Sequence, residues 1–334
     1  MTKNLSIGII GSGSWATALS KMLCENVDSI NWYIRNADAI EYITKNHHNK
    51  EYLSSVTFNT DQLNMSDDIN TVVSQSDVLI IAIPSAFLKS ALDQITVSLK
   101  DKIIFNAVKG IIPENRKLVG EHFHDNMGID FKQIGVITGP CHAEEVALER
   151  LSYLTIACDD LEKAKMMSSK LSCDYIKCSI SKDIIGTEYA AVLKNIYAIA
   201  AGIAHGLGYG DNFQSVLMSN AIREMKRFIN KRYKMKRNIN DSAYLGDLLV
   251  TGYSNFSRNR YFGNMIGKGY TVKSAMMEMT MIAEGYYATE SAYLLSKQDG
   301  KKKAKTPIIN AVYKVIYKHK DPKSVFEKLT YKLN

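Results

Sequence analysis

The chain has 334 residues, 46% of them hydrophobic and five of them proline, which is enough apolar material for two cores of ordinary size and excludes a disordered or fibrous chain. Lysine and arginine number 42 against 34 aspartates and glutamates, but basic runs such as Lys234 to Arg237 and Lys301 to Lys305 lack interleaved base-stacking aromatics, so no nucleic-acid partner is expected. Five cysteines without a Cys-x-x-Cys pair read as a reducing compartment, and the most apolar stretch, Val78 to Leu88, is too short for a bilayer and contains Pro84, so a cytoplasmic protein without a membrane span is expected.

The first element is residues 5 to 20, with no signal peptide expected before it. An apolar run leads into Gly11 and Gly13, and Ala16, Ala18 and Leu19 then open a helical pattern. A strand, a tight turn and a helix in that order suit a pyrophosphate: Gly11 permits the turn, Gly13 allows close backbone approach, and Ala16 lets helix and strand pack closely. Glycine-rich turns also join strands to helices where no nucleotide binds. Here a second strand, Ser29 to Ile34, follows the helix, and that context favours a dinucleotide. The second strand ends in Arg35 rather than an acidic residue, which suits the 2′-phosphate of NADP(H), although a surface arginine would look the same.

Further along, Ala37 to Asn46 reads as a helix, Val56 to Phe58 as a strand, Ile69 to Ser74 as a helix and Asp77 to Ile83 as a buried strand. Ser85 to Leu99 looks helical, Lys102 to Val108 is another buried strand, and Lys109 follows at its carboxyl end, where ligands of open α/β sheets bind. Gly135 to Thr138 is a strand ending in Gly139-Pro140-Cys141-His142, with Ala143 to Leu148 opening a helix. Strands at Ser152 to Ala157 and Tyr175 to Cys178 flank a helix at Leu161 to Leu171. The alternation predicts an α/β fold with a Rossmann-like doubly wound, mostly parallel sheet. Helical segments dominate beyond it, so a dinucleotide-binding domain is expected over residues 1–187 and an all-α substrate domain over 188–334.

Lys194 lies in a helix with Ala190, Ala191, Tyr197 and Ala198 at neighbouring positions, so it emerges from a face kept small. Small neighbours leave room for a ligand, and a lysine with little water around it loses its charge more readily; a lysine reaching out of an apolar helix is the plainer alternative. Asp247 precedes an apolar helical turn and suits either a helix N-cap or a partner for Lys194. Ser254 to Arg260 gathers two arginines and two asparagines, a composition suited to gripping phosphate. Cys141 and His142 adjoin Glu144 and Glu145, but consecutive side chains in a turn point apart, and neither a thiolate nucleophile nor a metal site is expected.

Gly11-Ser-Gly-Ser-Trp-Ala-Thr-Ala-Leu19, Val108-Lys-Gly110, Gly139-Pro140, Ala190-Ala-Val-Leu-Lys-Asn195, Gly246-Asp-Leu-Leu249 and Ser257-Arg-Asn-Arg260 together resemble the motif series of NAD(P)-dependent glycerol-3-phosphate dehydrogenase, most closely its bacterial soluble form. The match runs in order from residue 7 to about residue 290. It implies that NAD(H) or NADP(H) meets Gly11, Gly13, Ser14, Trp15, Arg35, Lys109, Ala143, Arg258, Ile282 and Glu284. It implies that dihydroxyacetone phosphate or sn-glycerol 3-phosphate meets Lys109, Gly139, Cys141, Lys194, Asp247, Ser257, Arg258 and Asn259, with Lys194 as the proton-transfer residue beside Lys109 and Asp247. A homodimer and a supply of glycerol phosphate to phospholipid synthesis are implied as well. Two positions depart from the family pattern, Cys141 where Ser or Thr is usual and His142 where Phe is usual. A thiol is a weak donor, so that contact is expected to loosen or pass to the backbone. A related dehydrogenase acting on another carbonyl compound, and a dinucleotide sensor without catalysis, are the competing readings.

Overall fold

Runs such as Ile7–Ile10 and Val78–Ile81 carry apolar side chains on both faces of a pleated strand, and they settle where both faces are covered. The computed structural model describes residues 5–279, 281, 283–298 and 304–334. The chain divides into two compact units, one running up to Val108 and resuming over Val119–Ile184, the other formed by Lys109–Leu118 and Ile185–Asn334.

In the first unit the strands are β1 (Ile7–Ile10), β2 (Ile30–Tyr33), β3 (Leu63–Ser66), β4 (Val78–Ile81), β5 (Ile103–Asn106), β6 (Ile134–Thr138), β7 (Ser152–Cys158) and β8 (Ile176–Ser181). Its helices are α1 (Ser14–Cys24), α2 (Ala37–Asn46), α3 (Ile69–Ser74), α4 (Ser85–Leu92), α5 (Val119–Met127), α6 (Ala143–Ala147) and α7 (Leu161–Leu171). The strands form one sheet in the order β3-β2-β1-β4-β5-β6-β7-β8. The order reverses between β1 and β4, so the chain leaves those two strands in opposite directions and opens a crevice beyond their carboxyl ends. Ile9, Leu19, Trp32, Ile80 and Phe105 are fully buried in the core of this unit.

The sheet is mostly parallel, as the alternation of strands and helices predicts, with one antiparallel pair, and three of the expected local elements differ. β7 runs antiparallel to β6, pairing Thr138 with Thr155; α6 has only five residues and cannot carry the chain back across a sheet face, as a parallel crossover requires. Val56–Phe58 is not a strand: Phe58 instead donates its N–H to the carbonyl of His47 and packs its ring against Trp32. The third strand is Leu63–Ser66, an edge with little apolar patterning. The helix from Ser85 stops at Leu92 because Asn70 captures the chain beyond it, accepting the N–H groups of Thr96 and Val97 and donating to the carbonyl of Gln94.

The second unit begins its main helical run with α8 (Ile184–Gly206), followed by α9 (Asp211–Arg232), α10 (Asp247–Tyr253), α11 (Arg258–Gly267), α12 (Val272–Met277), α13 (Glu284–Gln298), α14 (Pro307–Ile316) and α15 (Pro322–Thr330). Apolar side chains cover α8 on every side, and Tyr189, Leu193, Ile196, Tyr197 and Ile203 are all buried, which suits a helix enclosed by others. The crossing of α8 and α11 is unusually close. A Cβ on Gly202 would lie 2.0 Å from the carbonyl oxygen of Arg260, and one on Gly263 would lie 2.1 Å from that of Ile199. Gly206 and Gly267 repeat the contact one turn further, so the two backbones touch along a small-residue seam. Glu224 of α9 closes the start of α14, its carboxylate accepting the N–H groups of Ile308 and Ile309 at 2.9 and 3.0 Å. Burial pushes its pKa up to about 8 against the opposing pull of those two donors and Arg227. Among the described residues no helix is long and apolar enough to cross a membrane.

Candidate active site

In the first unit the groups of interest follow the carboxyl ends of parallel strands. Gly11, directly after β1, has φ +129°, and a Cβ there would lie 2.5 Å from the carbonyl oxygen of Ala82 beyond β4. No other residue fits without moving that backbone. Gly13 holds the N-cap position of α1 in an extended conformation, and a Cβ on it would meet no protein atom within 4 Å. Open space therefore faces the start of an eleven-residue helix whose first turn holds no acidic side chain, the arrangement that receives an anion. Ser14 is buried at that start, and Trp15 follows it. Arg35 is exposed just past β2, and the next residue, Asn36, caps α2 by accepting the N–H of Asp38 at 3.0 Å. After β6, Gly139 has φ +124° and leaves only 2.7 Å between a would-be Cβ and the carbonyl oxygen of Tyr153. Cys141 and Ala143 are buried beyond it, and α6 packs against α1, with Lys21 paired to Glu149 at 2.7 Å. Gly11, Gly13, Ser14, Trp15 and Ala143 thus share one end of the sheet. The residues present fit a dinucleotide phosphate bridge.

In the second unit Lys194 projects from α8 and is 4% exposed, with Ala190, Ala191 and Ala198 buried around it. Its Nζ donates to Oδ1 of Asp247, which is 1% exposed. The helix-capping alternative for Asp247 is not used, because Gly246 occupies the cap position and Asp247 opens α10 after a π-turn over Ser242–Gly246. The other oxygen, Oδ2, is buried with no hydrogen-bond partner among the described residues, an acceptor left open beside the lysine. Thr251 braces the same turn by donating to the carbonyl of Asp247 at 2.7 Å.

Around this pair the helices bring further residues together. Asn195 donates to the carbonyl of Lys109 at 3.0 Å and so fastens the 109–118 segment to α8. Ser257 caps α11, its Oγ accepting the N–H of Arg260 at 3.3 Å. Asn259 is buried and accepts the N–H of Gly285 at 2.8 Å, which sets Glu284 and the start of α13 beside it. A Cβ on Gly285 would lie 2.7 Å from the carbonyl oxygen of Asn195, so the two helices meet there through backbone. Arg258 is exposed at the head of α11, with Nη1 3.5 Å from Sδ of Met281. Ile282 lies outside the described residues. Asn195, Thr251 and Gly285 were missed as working residues in the sequence. For Asn195 the one sequence signal is its position next to Lys194 in the Ala190–Asn195 run. Among the described residues no three His, Cys, Asp or Glu side chains gather as a metal site.

An anion cradle at the switch point of a mostly parallel sheet, and a helical unit carrying a buried lysine–carboxylate pair, define the class of two-unit dinucleotide-dependent oxidoreductases. Known proteins narrow it further. Residues 6–164 match the family described as NAD-dependent glycerol-3-phosphate dehydrogenase N-terminus, and residues 183–327 match its C-terminus counterpart. A glycerol-3-phosphate dehydrogenase [NAD(P)+] of Exiguobacterium sp. is 32% identical over 97% of this chain and 94% of its own length. One from Chlorobium phaeobacteroides is 33% identical over 95% and 94%. The crystal structure of glycerol-3-phosphate dehydrogenase from Coxiella burnetii superposes with a TM-score of 0.88 at 26% identity, covering 98% of each chain. The chain belongs to the NAD-dependent glycerol-3-phosphate dehydrogenase family.

Proposed function

We propose that this protein reduces dihydroxyacetone phosphate to sn-glycerol 3-phosphate, reversibly, using NADPH or NADH. The observation that carries the proposal is the buried Lys194–Asp247 pair in a chain of this family. Gly11, Gly13, Ser14, Trp15, Arg35 and Ala143 hold the dinucleotide in the first unit, and Lys109, Arg258, Ile282 and Glu284 complete its contacts. When bound, the reduced nicotinamide supplies the hydride. Protonated Lys194 gives its Nζ proton to the forming alkoxide, and Lys109 lowers the negative charge developing there. Asp247 orients Lys194 through Oδ1, and its unpaired Oδ2 offers an acceptor to a substrate hydroxyl. Arg258, Asn259 and Ser257 anchor the substrate phosphate, which places the carbonyl for reaction. Gly139 and Cys141 contact the substrate, with the backbone standing in for the weak thiol donor.

Arg35 meets the 2′-phosphate of NADPH, so both cofactors are accepted and the phosphorylated one gains a contact. The protein works in the cytoplasm as a homodimer and supplies glycerol phosphate for phospholipid synthesis. The test is oxidation of NADPH and of NADH, in parallel, on adding dihydroxyacetone phosphate to the purified protein. Turnover supports the reading. Binding of cofactor without turnover would move the assignment to another carbonyl substrate or to a dinucleotide sensor.

A further inference from the structure

Three consecutive carbonyl oxygens of the glycine-rich turn are each held by a side chain. Gly11 O accepts the indole N–H of Trp32 at 2.7 Å, Ser12 O accepts the amide N–H of Asn49 at 3.1 Å, and Gly13 O accepts the hydroxyl of Thr17 at 3.1 Å. Thr17 belongs to α1, but the other two donors come from outside the strand–turn–helix motif. Trp32 lies in β2, and Asn49 lies in the loop after α2. Both are buried, Asn49 to 3% exposure. The amide of Asn49 is fully used: Nδ2 also donates to Oγ1 of Thr17 at 3.0 Å, and Oδ1 accepts the N–H groups of Glu51 and Tyr52 at 3.2 and 3.3 Å. This amide is therefore the joint between the turn, the first helix and the 49–52 loop.

In a trans peptide the carbonyl and the following N–H point in opposite directions, and among the described residues no peptide bond is cis. Holding the carbonyls of Gly11 and Ser12 from behind turns the N–H groups of Ser12 and Gly13 the other way. No protein acceptor among the described residues takes either of them. Successive N–H groups aimed together form a concave anion site, and the positive end of α1 adds to it. Released from Trp32 or Asn49, either peptide plane is free to rotate and present a carbonyl, a repelling acceptor, to the anion.

We infer that Trp32 and Asn49 are positioning residues that pre-aim the turn's N–H groups at the cofactor pyrophosphate. This rests on the reading that the first unit binds NAD(P)H, and wild-type binding is measured first so that the two stand or fall separately. Trp32→Phe removes the indole N–H while keeping a ring against Phe58, and Asn49→Ser removes the reach to Ser12 without adding charge. Each folded variant, at a temperature well below its melting point, is expected to bind NADPH and ADP-ribose about ten-fold more weakly, the loss of one aligned hydrogen bond's worth of preorganisation. The KM for NADPH should rise in parallel, with kcat changing far less. A packing defect alone would lower the melting temperature and leave the dissociation constants in place; constants within two-fold of wild type in both variants would overturn the inference. If Asn49→Ser does not fold, Trp32→Phe decides alone. Absence of NADPH binding by the wild type would remove the cofactor reading and this inference with it.

Discussion

In the first unit the groups offered to a ligand are backbone N–H groups, and buried side chains stand behind them; in the second unit the offered groups are side chains, and the backbones stand behind them, pressed together at Gly202, Gly206, Gly263 and Gly267. The first arrangement suits a phosphate bridge by dipole direction and places no chemistry of its own. The second puts an amine and a carboxylate at fixed positions on stiff helices, which proton transfer requires. Substitutions behind the glycine turn and at the lysine–carboxylate pair should therefore separate binding of cofactor from turnover.

The largest effect is expected at Lys194. Lys194→Met should lower kcat by about 1,000-fold, the range of a lost general acid, with the NADPH dissociation constant within two-fold of wild type by calorimetry. A wild-type rate in that variant would remove Lys194 as the proton donor. Next comes Arg258→Ala, where the KM for dihydroxyacetone phosphate should rise roughly 30-fold, as for the loss of charge-assisted phosphate bonds, and kcat should move less; an unchanged KM places the anchor elsewhere. Arg35→Ala is smaller and confined to the first unit. The ratio of NADPH to NADH efficiency should fall about ten-fold, through NADPH alone, and a parallel loss with both cofactors would show that Arg35 does not read the 2′-phosphate.

The smallest effect concerns stability alone. Glu224 is buried with a folded pKa raised to about 8 from an ordinary value of 4.5. Between those values the native state keeps a proton that the unfolded chain has lost. The contribution is therefore fully present below pH 4.5, falls as pH rises through 8, and is flat beyond. The slope is at most about 1.4 kcal/mol per pH unit for one proton. Melting curves between pH 5.5 and 9, set roughly by that window, should show the decline in the wild type and a shallower one in Glu224→Gln. Equal slopes would mean that Glu224 is ionised in the folded protein.

Much of the first unit was legible because its signals are local. Strand, turn and helix follow one another within residues 5–20, and Arg35 ends the next strand. Edge strand β3 was not legible, since Leu63-Asn-Met-Ser66 is half polar and has a sheet partner on one side only. Val56 and Phe58 misled for the opposite reason: both are buried, yet their burial serves the loop over α2 and Trp32 rather than a strand. In the second unit Lys194 stood out through its small neighbours, whereas Asp247 carried two equal meanings until its partner, 53 residues away, was in place.

Sequence alone determined the glycine turn, the apolar strands and the lysine set among alanines, because each depends on steric and hydrophobic preferences that act over a few residues. Tertiary structure alone decided which carboxylate meets Lys194, that β7 reverses, and that Trp32 and Asn49 brace the turn. Those are hydrogen bonds and pairings between distant segments, and a buried donor or acceptor takes whichever partner the packed chain brings within reach.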